Sequence, residues 1–300
     1  MGIALASNFG DALDARVRKI YDKEYEENVK TSMIPNLFGM ESSKRSYEIL
    51  SGIGGMQDMQ PFDGMIAYDT PQQLYDKTFT FPEKALGFKV ERKLVDDDLF
   101  GVIDRKPWQM AVSSARTREK EAAGIFNGAF VGTDGPDSVS LCSASHPFSP
   151  SDATVQSNAG STAMTAVAIE ATRRIGQTAI LNDRGELLDV NYDMILCPPA
   201  LEETAYEVIN SSGKVDTANN NRNFHQGRYD LVVWPRLTSA TNWFMIDSVL
   251  AKKFLLWWDR INDPIKMDED SNTLVAYWYK YERYSAGWAD YRPVYGHNVS

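Results

Sequence analysis

Cysteine and histidine are scarce in this chain. There are two of the first, Cys142 and Cys197, and three of the second, His146, His225 and His297, in 300 residues. That is neither a disulfide framework nor a zinc constellation, and the two thiols are expected to be buried and free. Basic charge is also short: 31 Lys and Arg stand against 41 Asp and Glu, a formal net charge of −10. That balance argues against a phosphate-gripping basic face as the main business of the protein. The inner wall of a container for nucleic acid, which should repel rather than stick, is compatible with that sign. Long apolar runs are missing. None approaches the roughly 20 residues of a membrane span, and Met1–Ser7 lacks the basic start of a signal peptide, with Asp11 arriving early. The expectation is a protein made and kept in the cytosol, or in something assembled there, with no membrane partner.

What is present is globular. Hydrophobic residues at 43% and charged residues at 24% exclude wholesale disorder. A chain of this length buries roughly three quarters of its unfolded surface, enough for one large domain or two lobes without a metal or disulfide staple.

The local pattern reads as follows. Phe9, Leu13, Val17 and Ile20 fall at helical spacing within residues 8–30, amid many charges; so narrow a stripe is expected to lie as a strap on another surface. Between Lys44 and Lys93, Gly52, Gly54, Gly55 and Gly64 interrupt a short strand at Ser46–Leu50, and two period-two strands follow at Lys77–Phe81 and Gly87–Glu91. With few large apolar residues, this strand pair is expected to project from the body and pack elsewhere. A rod of about 39 Å is expected over Asp104–Phe130, with Pro107 in its first turn and Trp108, Ala111, Ala115, Ala122, Phe126 and Ala129 on its inner face.

Residues 132–160 read as loop, Thr162–Leu181 and Leu201–Ile209 as helices, and Tyr192–Cys197, Tyr229–Trp234, Trp243–Asp247 and Phe254–Trp258 as strands. Residues 211–228 form a polar loop, Met267–Asp270 an acidic turn, and Leu274–Ser285 a long strand loaded with Tyr and Trp. The fold class is α+β.

Local signatures of catalysis are not found. Gly52-Ile53-Gly54-Gly55 has the wrong spacing for a dinucleotide site, and Ser212-Gly213-Lys214-Val215 lacks the flanks of a phosphate loop. Asp96-Asp97-Asp98 suits a helix N-terminus, where acids are favoured by the dipole, better than a cation site. His146, four residues after Cys142, reads as a surface turn residue without a third catalytic partner. The 7 Trp and 14 Tyr, many beyond residue 230, interleave with strand apolars and read as core or subunit contact rather than as stacking platforms. No catalytic residue, metal or cofactor is expected.

The order of the parts resembles the major capsid proteins of tailed phages, most closely the major head subunit of Mu-type phages. Phe88–Gly101 leading into the long helix, the Leu141–Pro147 turn, the Met194–Ala205 strand, Pro-Pro, helix passage, Pro235–Thr238 followed by Trp243-Phe244, and Arg283–Pro293 carry the likeness. It spans about residues 45–296 and rests on motif order.

The resemblance implies the Hong Kong 97-type shell fold: an N-terminal arm over 1–43, an extended β-hairpin loop over 44–93, a peripheral domain with the long spine helix over 94–160 and 256–285, and an axial domain over 161–255 and 286–300. It implies self-assembly into pentamers and hexamers of an icosahedral head enclosing double-stranded DNA, without sequence-specific binding. The virion would be assembled in the host bacterial cytoplasm with a portal and, in some relatives, decoration or head-completion proteins. About 40 residues before the loop are too few for a fused scaffold, so a separate scaffolding protein is expected. The implied intersubunit contacts are Phe9, Leu13, Val17 and Ile20 of the arm and Lys77, Phe79, Phe81 and Lys84 of the loop. Some relatives crosslink a Lys to an Asn; Lys77 and Lys84 are the loop amines, and no Asn or activating Glu partner is identifiable. The rival on the same fold is a nanocompartment shell holding a cargo enzyme. The rival from another class is a soluble enzyme whose site is assembled from distant residues.

Overall fold

A computed structural model describes residues 7–59, 61–62, 64–66, 68–70, 72–91, 101–213, 222–270 and 275–299, with side chains from Leu13 onward in the first helix. Asp96–Asp98 and Lys214-Val215 lie outside the described residues.

The chain opens with helix α1 (Ser7–Lys30), a single turn α2 (Ile34–Leu37), strand β1 (Gly39–Ser42), and strands β2 (Tyr47–Ile53), β3 (Gln73–Thr80) and β4 (Glu83–Glu91). The long helix α3 follows over Val102–Asn127, about 39 Å of rod, introduced by Gly101 at a φ of 62°. It begins earlier than the spacing suggested, so Pro107 sits past the first turn, where its missing N–H leaves the carbonyl of Ile103 without its helical donor. Trp108, expected on the inner face, is exposed; Met110 takes its place.

Next come β5 (His146–Ser149), β6 (Asp152–Gln156), β7 (Ala159–Gly160), α4 (Ala166–Thr178), β8 (Met194–Cys197) and α5 (Glu202–Asn210). Then β9 (Asp230–Val233), β10 (Trp243–Ile246), α6 (Ser248–Phe254), β11 (Leu255–Asn262), β12 (Lys266–Asp270), β13 (Val275–Trp288) and β14 (Val294–His297) complete it.

Two five-stranded sheets organise these elements among the described residues. In the first, the 14-residue β13 is the shared member. β11 and β12 run one after the other along one of its edges, β4 pairs with the other edge from Val275↔Glu91 to Arg283↔Glu83, and β1 adds in parallel to β11. The acidic stretch expected as a turn is thus strand β12, because its charged residues have a paired edge and a solvent face to occupy. The second sheet runs β7-β14-β10-β8-β9.

That second sheet is apolar on both faces, which explains the unbroken runs Met194–Cys197 and Trp243–Ile246. Met194, Leu196, Phe244 and Ile246 face the central core shared with α2, α3 and the first sheet. Ile195, Cys197, Trp243 and Met245 face a second core under α4 and α5. Thr165 caps α4 by accepting from the Ala168 amide at 3.1 Å, and Asp247 caps α6 by accepting from Val249 and Leu250 at 3.1 and 2.9 Å. A third, smaller core under α1 joins Val17, Tyr21, Val90, Ile103, Ile265 and Trp278.

The residues expected as featureless loop between 132 and 160 carry the β5–β6 hairpin, and His146 is no surface residue. Its ring is fully buried, lies flat on Tyr291 at 3.7 Å, and reaches Asp137 through Nδ1 at 2.6 Å. Asn158, equally buried, donates to the carbonyls of Leu141, Tyr291 and Val294 and accepts from the Ser143 amide. A buried amide with its donors and acceptor engaged fixes one arrangement of three segments.

His297 does the same at the second core. Stacked on Trp243 at 4.1 Å and beside Tyr295, it lies 3.0 Å from the Thr162 hydroxyl at Nδ1 and 2.8 Å from the Thr172 hydroxyl at Nε2. Thr172 donates its proton to the Ala168 carbonyl, so Nε2–H donates to Thr172 and Nδ1 accepts from Thr162. Burial lowers this imidazole to about 4 from 6.5. The native state therefore holds it neutral, and its contribution is full above pH 6.5 and lost as pH falls toward 4. We expect His297→Gln to lower stability at pH 7 and to flatten the decline between pH 7 and 4.5, where the native residue costs up to about 3 kcal/mol. Equilibrium denaturation across that range checks it; parallel declines in both proteins would refute it.

Candidate assembly interface

The loop is built from β2 and β3, which pair from Tyr47↔Thr80 to Ile53↔Gln73. The two strands expected as a projecting pair do not pair with each other. β3 takes β2 as its partner, and β4 is absorbed by the first sheet because Val90 has a core to enter there. Period two forces alternate side chains to opposite faces. Phe79 is thereby pressed onto β13, where Gly287 is required: a Cβ there would stand 2.7 Å from the Phe79 ring. Tyr47, Ile49 and Ile53 point outward and stay exposed.

Beyond the hairpin the loop carries its apolar residues into solvent. Met56, Met59, Phe62, Ile66 and Tyr68 are 77, 101, 76, 68 and 89% exposed. Apolar side chains so fully exposed and so close in sequence mark an interaction surface. The Gly-rich composition concealed them; the signal was large apolar residues in a stretch otherwise suited to a loop.

The expected contact residues fall differently. Val17, Phe79 and Phe81 are buried within their own chain and are not free for a neighbour. Leu13, Val17, Tyr21 and Tyr25 form the inner stripe of α1, packed along α3 and β13, so the arm is no strap on a separate surface here. The stripe advances four residues at a time, and Tyr21 rather than Ile20 takes the buried place. Ile20 is half-buried, and the side chain of Phe9 lies outside the described residues. Lys77 donates to the Asp134 carbonyl, and burial lowers its ammonium below the usual lysine range. Lys84 pairs with Glu121 and lies over the Tyr284 ring at 4.2 Å. Both loop amines are engaged within the chain.

Under α3 lies a seam of buried charge. Arg118 holds Asp259 through two bonds of 2.7 and 2.8 Å and stands over the Tyr284 and Trp257 rings. Glu282 accepts from Ser114 at 2.8 Å and pairs with Lys280 at 3.0 Å, and the Lys280 ammonium sits 4.2 Å from the centre of the Tyr25 ring. Tyr21 and Tyr284 have their phenols raised, chiefly by burial. Glu119 is the junction of three segments: it accepts from the Ser32 hydroxyl, from the Met33 amide at 3.0 Å and from the Trp234 indole at 3.0 Å.

Cys142 and Cys197 are buried and free, and burial raises both thiols, Cys197 to about 12. Among the described residues, no group of three or more His, Cys, Asp or Glu could hold a metal ion, and no helix is long and apolar enough to cross a membrane.

The phage capsid protein family matches residues 75–296. The chain belongs to that family. Its fold is of the Hong Kong 97 type and is similar to a chain of the bacteriophage JBD30 capsid decorated with minor capsid protein trimers, with a TM-score of 0.57, 12% identity, and coverage of 69% of this chain and 91% of that one. The cyanophage P-SCSP1u capsid gives 0.57 at 10% identity over 89% and 87%, and the capsid of a native GTA particle gives 0.54 at 14% over 88% of each chain. No curated protein matches by sequence. The likeness of the capsid protein to these solved structures is one of fold, at 10–14% identity.

In the capsid protein, Glu119→Ala strands the Ser32, Met33 and Trp234 donors together. We expect a loss of about 2–3 kcal/mol, with Glu119→Gln losing less, read from urea denaturation of the unassembled chain. Equal small losses in the two variants would dismiss the junction.

Proposed function

We propose that this chain is the major capsid protein of a tailed phage or prophage, and that many copies close into the icosahedral shell around its packaged double-stranded DNA. The observation that carries the reading is the family match over residues 75–296 on a Hong Kong 97-type fold. The work done is geometric rather than chemical. One chain must fit several non-identical environments, and modest contacts repeated many times close the shell. The exposed loop tip supplies an apolar contact to a neighbouring copy, and a net charge of −10 suits a wall that releases DNA rather than holding it.

Finer assignments belong to the same proposal. The motif order favours a Mu-type head subunit, organised as pentamers and hexamers. A separate scaffolding protein and a portal complete assembly in the host cytoplasm. The JBD30 capsid is decorated with minor capsid protein trimers, and a decoration protein of that kind is a candidate partner for this shell.

Expression of the chain, alone and with the scaffold, followed by size exclusion and negative-stain microscopy tests the reading: closed shells or rings of five or six are expected. A small uniform oligomer under both conditions would overturn it, and shells packed with a cargo enzyme instead of DNA would favour the nanocompartment. The loop contact has its own test. Phe62→Asp with Ile66→Asp should abolish shells and leave the melting temperature within about 1 °C, because exposed surface substitutions barely alter stability. Normal shells from the double variant would remove the loop from the assembly interface.

A further inference from the structure

The exposed loop tip does not float from its hairpin. Both of its ends are gripped by one turn of the axial half, residues 182–184. On the near side, the Gly55 amide donates to Asp183 Oδ1 at 2.9 Å, and the Gly55 carbonyl accepts from Arg184 Nε at 2.8 Å. On the far side, the same guanidinium reaches both carboxylate oxygens of Asp69 at 3.0 and 2.9 Å and the Thr70 carbonyl at 3.2 Å. Asp69 in turn accepts from the Gln57 amide at 3.1 Å. One arginine therefore bridges the two ends, with Nε on Gly55 and Nη2 on Asp69 and Thr70, a fixed planar spacing of donors that lysine lacks. The pair is well shielded, with side-chain exposures of 13 and 16%.

Two further observations separate this grip from incidental packing. Behind the hairpin, between Leu50 and Leu74 on one side and Phe148, Leu188 and Phe254 on the other, lies an open cleft of 390 Å³. Close packing does not fill that side: the hairpin is held at its base by Phe79 on β13 and Lys77 on Asp134, and at its far end by the polar grip. The grip also has a cost: Asp183 is about nine-tenths buried, and its Oδ2 has no hydrogen-bond partner. Gly54 is needed to let that oxygen in, since a Cβ at this position would stand 2.4 Å from it. A buried carboxylate oxygen left without a donor is retained where the contact is worth more than the residue's own solvation.

While the grip is closed, Met56, Met59, Phe62, Ile66 and Tyr68 remain exposed. It presents the tip rather than hiding it. We infer that Asp183 and Arg184 are positioning residues for shell assembly: they hold the 55–70 loop in its docking conformation before a second copy of the chain arrives, and so remove the ordering cost from the docking step. This rests on the proposed assembly function. Neither residue needs to touch the neighbour.

The test is a double-substitution cycle on assembly. Arg184→Ala, Asp69→Ala and the double variant are compared with the unaltered chain, with the threshold protein concentration for shell formation read by light scattering, and the amide exchange of residues 54–72 and the melting temperature read on unassembled chain. We expect each single variant to raise the threshold by roughly tenfold and to speed loop exchange by at least that factor, with the double variant no worse than either single one. The melting temperature should hold, and Arg184→Lys should recover only part of the threshold. Asp69 lies on the loop, so its variant remains informative should the Arg184 variants misfold. Unchanged thresholds despite faster loop exchange would overturn the inference while leaving the assembly function intact, as would additive effects of the two substitutions. Failure of the unaltered chain to form shells with or without scaffold would overturn the functional reading and this inference together.

Discussion

The packing of a charged strand face against a charged helix face is the constraint on which the rest of this fold depends. Along the inner face of β13, Trp278, Lys280, Glu282 and Tyr284 alternate with the outward Tyr277, Tyr279 and Tyr281, and the inner set meets Ser114, Arg118 and the tyrosines of α1. Ion pairs taken out of water contribute little net stability, but a broken one is expensive. Slipping β13 by one residue would turn Lys280 and Glu282 to solvent and tyrosines into the seam, leaving Arg118 with Asp259 alone. The seam thus selects one register for a 14-residue strand, and through that register it places β4, β11, β12 and the Gly287 seat for Phe79.

The two halves of the chain are joined with the same economy of means. Glu119 on the long helix holds the Ser32-Met33 connection and the Trp234 indole at the edge of the second sheet. The central core of alanines on α3 and aromatics from both sheets fills the space between. Small residues on the helix let the sheets approach, and Phe126 meets Phe38, Trp234 and Phe244 edge-on.

Periodicity made much of this legible. Helix α3, strands β8 and β10 and the α+β class follow from runs long enough, or apolar enough, to be unambiguous. What escaped did so for physical reasons. His146 reads as a surface histidine because its partners, Asp137 and Tyr291, are brought to it by chain reversals that local sequence does not encode. The stripe on α1 was legible, but the surface it covers was not, since Val17 and Tyr21 meet α3 and β13 more than eighty residues away. Lys280 and Glu282 look like the solvent face of a strand until the helix above them is known to carry Arg118. The loop's apolar tip was concealed by its glycines, and the grip on it by the distance between Asp69 and Arg184. The motif order that resembled phage capsid proteins was a better guide to function than any single residue, because a structural protein leaves no catalytic signature to find.

The placement of β14 sets a timetable. Val294–His297 is the last strand in chain order among the described residues, yet it lies between β7 and β10 inside the second sheet. Until it has left the ribosome, β7 has no partner and one edge of β10 stays open. β13 is nearly as late, and the first sheet waits for it in the same way. A chain extruded as far as β12 holds its long helix and loop hairpin but neither complete sheet.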